Sequence, residues 1–170
     1  MKKLIQVLLA TILLSTLFVG GSVSTAEAKG PKILKFDTMV GVPAGLTGAQ
    51  SQGPLRGLNG GGIPWTLADA SGELRANGHL EISVQGLVLA AGANAGWNPI
   101  ANFRGLVSCV KSDGTFANIQ TDLFPATTGP ASAGGGNAEI EADLVLPQPC
   151  IAPIIFVTSP TGSWFAATGL

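Results

Sequence analysis

Three carboxylates, Glu139, Glu141 and Asp143, alternate along one short segment, and that spacing limits their chemistry. In an extended strand, residues i and i+2 share a face about 6.6–7 Å apart. A hard cation such as calcium takes converging oxygens, usually from a loop wrapped around it. A straight strand holds its acids too far apart to build that shell unaided. The plainer reading is a solvated acidic face that discourages pairing between molecules. Asn137 and the loop before it could add oxygens, so Glu139, Glu141 and Asp143 are the candidate calcium ligands.

Nucleophilic catalysis by serine needs a base, and His79 is the single imidazole in the chain. It follows a turn and faces Arg75, so a positive neighbour and solvent make it a poor one; an exposed turn residue is the expectation. One histidine also argues against a zinc site. Carboxylates alone could cleave glycosides, with Asp37, Asp69, Asp122, Glu139 and Asp143 as unranked candidates. Sugar stacking would have only Trp65, Trp97 and Trp164, because tyrosine is absent. Gly60-Gly61-Gly62 and Gly134-Gly135-Gly136 lack the following helix and the Lys and Ser/Thr that a phosphate loop requires. Trp97 and Asn98 follow a small-residue stretch and form a candidate contact platform. No catalytic or cofactor-binding set emerges, and the chain is read as non-enzymatic.

The elements that would position these groups are strands. Ala76-Asn77-Gly78, Ser112-Asp113-Gly114 and Pro160-Thr161-Gly162 each suit a three-residue hairpin loop ending in a left-handed glycine. Such a loop fixes the register. Leu74 then faces Leu80, Gly72 faces Ile82 and Ala70 faces Val84. The reverse face pairs Glu73 with Glu81, Ser71 with Ser83 and Asp69 with Gln85. In the second hairpin Val107 meets Ile119, Cys109 meets Ala117, Ser108 meets Asn118 and Val110 meets Phe116. In the third, Val157 is placed opposite Phe165, Ile155 opposite Ala167 and Phe156 opposite Ala166. From Ala138 to Leu146 the even positions are apolar and Glu139, Glu141 and Asp143 point outward. Leu34, Phe36, Val40 and Val42 are expected on one side of an N-terminal strand. Gly41 to Gly62 and Phe124 to Gly136 read as long loops. The expected fold is all-β, a single antiparallel β-sandwich of about eight strands, Ig-like or jelly-roll-like, with a closed barrel as the alternative.

Lys2 and Lys3, the uncharged run from Leu4 to Val19, and Ala26-Glu27-Ala28 have the layout of a secretory signal peptide over residues 1–28, cut after Ala28. The apolar run is about 16 residues, short of the roughly 20 that a spanning helix needs. Residues 29–170 would then be a secreted domain with no membrane span. Losing Lys2, Lys3 and Glu27 reduces 9 basic and 10 acidic side chains to 7 and 9, a formal charge of −2. Nucleic acid would favour a clustered basic patch, and the basic residues are scattered. Cys109 and Cys150 are expected to form one disulfide closing a loop of about 42 residues, worth about 4 kcal/mol in the chain-entropy model.

Lys35 to Pro43, Thr127 to Pro130 with Gly136 to Ala142, and Ser163 to Gly169 resemble a group of small uncharacterised bacterial secreted proteins. The likeness spans most of residues 29–170 and implies a bacterial exported origin; it brings no site residue. The expected function is a secreted binding or structural module of the cell envelope or extracellular space, with an unidentified extracellular or envelope ligand and no cofactor. A small carboxylate-based hydrolase is one alternative. The other is self-association through the nearly chargeless segments Leu123 to Gly136 and Ile151 to Leu170.

Overall fold

Each of the three glycine-ended turns forms, with Gly78, Gly114 and Gly162 at φ of 94°, 77° and 94°. Each glycine N–H donates back to the residue three before it, Arg75, Lys111 and Ser159 respectively. Gly78 is required twice over: its backbone is left-handed, and an added Cβ would lie 1.7 Å from the Leu144 carbonyl oxygen. The computed structural model describes residues 30–48 and 54–169, and the expected leader with its cut after Ala28 lies outside them.

In chain order the strands are β1 (Lys32–Phe36), β2 (Val40–Gly41), β3 (Trp65–Thr66), β4 (Asp69–Arg75), β5 (His79–Gln85), β6 (Val88–Leu89), β7 (Trp97–Asn98), β8 (Asn102–Val110), β9 (Phe116–Pro125), β10 (Gly129–Pro130), β11 (Ala138–Asp143), β12 (Ile151–Thr158) and β13 (Trp164–Ala167). Eight have four residues or more, and the other five are two-residue pieces. One sheet has the order β1-β4-β5-β11 and the other β2-β13-β12-β8-β9. Pairs β3-β6 and β7-β10 form small separate ribbons. All these pairings are antiparallel. The fold is therefore all-β and sandwich-like.

The core lies between the two sheets. Leu74, Leu80, Ile82, Val84 and Ile140 from the first are essentially inaccessible, as are Phe103, Val107, Ile155 and Val157 from the second. Gly105 of β8 comes close to Ile82 and Ile140, where a Cβ would lie 3.2 Å from each. The first two hairpins take the expected registers, pair for pair. Alternation after Ala138 also holds: Ala138, Ile140, Leu144 and Leu146 are buried, and Glu139, Glu141 and Asp143 are exposed. Cys109, near the end of β8, is bonded to Cys150, just before β12.

Three expectations need correction. In the third hairpin Phe156 faces Ala167 and Val157 faces Ala166, while Thr158 faces Trp164. The turn-set register thus lasts one pair, and an irregularity at Phe165 then shifts it by one. That extra residue lets both large rings be buried, Trp164 edge-on to Phe156 and Phe165 stacked on Trp65. The expected N-terminal strand is split between sheets, β1 in one and β2 in the other. Met39 is consequently buried and Val40 is 44% exposed. Finally, the expected loops contain the Gly41 end of β2, the last two residues of β9, β10 and two short 3-10 turns, Ala44–Leu46 and Ala131–Ala133.

Loop residues 54–61 explain why β8 and β12 are apolar on both faces. Leu55 and Leu58 pack against the core. Asn59 accepts from the Trp164 N–H, and Gly61 donates to the Trp164 carbonyl. Arg56 latches this strap: Nη1 donates to the Ser108 carbonyl at 3.1 Å and Nη2 to that of Ala152 at 2.8 Å. Its guanidinium also lies over the Phe116 ring. Arg56 and Ala152 are both left-handed, with φ of 50° and 44°, so the bond joins the two strained non-glycine residues among those described.

Candidate functional site: the acidic outer face of the four-stranded sheet

The outer face of β1-β4-β5-β11 carries ordered rows of polar side chains. Glu73 faces Glu81, and Glu81 faces Glu141, so three glutamates lie side by side across three strands. Like charges directly opposite oppose pairing. The neighbouring row brings Lys32 beside Arg75 and His79 beside Asp143. On the other side, Ser71, Ser83 and Glu139 form a third row.

Two sets of local contacts stand out on this face. Lys32 and Arg75 both form ion pairs with Glu73. The Lys32 hydrogen bond, with the Arg75 charge assisting, holds the Glu73 carboxyl below its ordinary value despite desolvation. Glu81, Glu141 and Asp143 gather at His79. Asp143 Oδ1 is 2.9 Å from His79 Nδ1, and Glu81 Oε1 is 2.7 Å from Nε2. Glu141 Oε1 lies 3.8 Å from the same nitrogen. The imidazole is largely covered, 11% exposed, whereas the Glu141 and Asp143 side chains are 72% and 83% exposed.

Beside this cluster a groove of about 410 Å³ is lined by Ser71, Glu81, Ser83, Glu139 and Glu141, with Gly72, Ile82, Ile140 and Phe124 as its apolar part. Within it the Ser83 hydroxyl donates to Glu139 Oε1 at 2.6 Å. A second groove, about 350 Å³, runs along the seam where β9 lies next to β11, with Asp122, Glu141 and Asp143 on its walls. Carboxylates and hydroxyls make a surface suited to positive charge.

Glu139, Glu141 and Asp143 share the expected face without converging on one point: Glu139 engages Ser83, and the other two turn to His79. Asp37 and Asp69 are exposed, and Asp69 faces Gln85 at the far end of the face from His79. Trp97 is 47% exposed. Asn98 is fully buried, its amide donating to the Ile100 and Thr127 carbonyls while its oxygen accepts from the Ile100 N–H. It is a staple of the scaffold, and the proposed platform reduces to Trp97. His79, expected as an exposed turn residue, is instead covered and held by carboxylates. The missing information was the partner of β5: pairing β11 with β5 puts Asp143 opposite His79 and Glu141 opposite Glu81. The matching i, i+2 spacing of His79-Glu81 and Glu141-Asp143 was the available signal.

Comparison with protein-family models, curated proteins and solved structures finds no match to this chain.

Proposed function

We propose that this protein is an exported, non-catalytic binding module whose working surface is the outer face of the four-stranded sheet, selective for positively charged ligands. One observation carries the reading: Glu81, Glu139 and Glu141 line one groove together with the Ser71 and Ser83 hydroxyls. Export is supported by the leader pattern of residues 1–28 and fits the Cys109–Cys150 disulfide. The absence of catalysis is supported by arrangement. The acids stand in rows on one sheet face and engage neighbouring side chains, rather than confronting each other across a cleft.

The reading is tested by calorimetric titration with spermine, a compact polycation, at low and physiological salt. Binding should weaken about tenfold or more in the Glu139→Gln/Glu141→Gln double variant, and should weaken with salt in the wild type. Equal affinity in wild type and double variant removes the proposal.

A further inference from the structure

Resting on this cation-binding reading, we infer that the His79 end of the face is a site for a divalent transition-metal ion, zinc foremost, held by His79 Nε2, Glu81 and Glu141. The ligand atoms of these three residues all lie within 4.8 Å of one another. A tetrahedral ion at about 2.0–2.1 Å from each ligand needs them about 3.3 Å apart. The 2.7 Å contact between Nε2 and Glu81 must therefore open slightly, and the 3.8 Å separation from Glu141 must close. Glu141 is well exposed and can shift at little packing cost.

Asp143 supplies the orientation. Its carboxylate at His79 Nδ1 holds a proton on that nitrogen, so once Nε2 gives up the proton it shares with Glu81, its lone pair points at the space between Glu81 and Glu141. This is the carboxylate–histidine–metal relay, in which the outer acid fixes the tautomer. Charge points the same way. Three carboxylates surround one imidazole, so a protonated ring brings one positive charge against three negative ones. A divalent ion would displace any proton at Nε2 to solvent and offset two charges. The imidazole ligand distinguishes zinc from calcium, which prefers an all-oxygen shell. Three protein ligands leave a fourth position for water.

The test uses the chelator-treated protein, titrated with Zn²⁺ and in parallel with Ca²⁺, with calorimetry, thermal melts and imidazole ¹⁵N spectra as readouts. The ring signal is unambiguous because the chain has one histidine. The expected result is one equivalent of zinc, a shift at Nε2 with Nδ1 staying protonated, and a raised Tm. His79→Gln should abolish saturable binding, and Asp143→Asn should weaken it about 10–100-fold. Asp69→Asn, at the far end of the face, should bind as the wild type does. Zinc binding that survives His79→Gln, or calcium binding tighter than zinc, overturns the inference. Absence of zinc binding with spermine binding intact overturns the metal site alone. Loss of both overturns the cation-binding reading as well.

Discussion

Asp113 shows how one side chain can set acid stability. Its carboxylate accepts from the Thr115 hydroxyl at 2.6 Å and from the Thr115 N–H at 2.9 Å. These bonds, chiefly the hydroxyl one, lower its pKa from 3.8 to about 2. The folded state thus favours the ionised form. That contribution is complete above about pH 4 and is lost as pH falls toward 2. Asp113→Asn should flatten this stretch of the stability profile, as measured by urea unfolding at stepped pH. Glu73, also held low, keeps a share of the slope. Asn98 makes a different case: it is inaccessible and all three of its hydrogen bonds stay inside the protein. Asn98→Ala should cost about 1–3 kcal/mol, since the Ile100 carbonyl and N–H lose the buried amide as their partner while Thr127 keeps the Gly136 N–H, whereas Trp97→Ser at the half-exposed neighbour should cost under about 1 kcal/mol.

Among the elements, the strap over residues 54–61 depends on Arg56. One guanidinium reaches two carbonyls on different strands, which a lysine ammonium cannot reproduce with the same fork. Arg56→Lys should therefore lose about 1–2 kcal/mol and speed proteolytic cleavage near residue 56, with the global urea m-value unchanged. Cleavage at the wild-type rate would show that Leu55 and Leu58 hold the strap without the latch. How far each element could be read from sequence follows the range of its determinants. The first two hairpins were legible because their turns fix the partner strand within a few residues. The third was legible only to Thr158–Trp164, because the irregularity at Phe165 answers to packing against Trp65 and Phe103, distant in sequence. The split between β1 and β2 was hidden for the same reason: one apolar alternation serves two sheets.

At the scale of the molecule, the β-sandwich class and the disulfide could be read, while the sheet order β1-β4-β5-β11 could not. That order decides the candidate site, since His79 and Asp143 are 64 residues apart in the chain. No local pattern states that β11 is the neighbour of β5. The apolar stretch from Ile151 onward is likewise explained by position. Ile155 to Ser159 and Trp164 to Thr168 are buried within the five-stranded sheet and its turn, so their lack of charge reflects the interior. The Cys109–Cys150 bond closes a loop spanning 41 positions. Replacing both cysteines by alanine should lower unfolding free energy by about 4 kcal/mol in urea, through a less restricted unfolded chain. A loss under about 1 kcal/mol would mean that the paired β8 and β12 already restrain that loop when unfolded.

The placement of the indoles also gives the molecule a built-in optical gauge. Trp65 and Trp164 are buried, Trp97 meets water, and no tyrosine contributes background emission. Lifting the 54–61 segment would break its backbone bonds to Trp164 and take Gly61 off the Trp65–Phe165 stack, wetting Trp65 first. Intrinsic fluorescence should then redden in two stages during denaturation, the first reporting the cover and the second the collapse of the double layer beneath it.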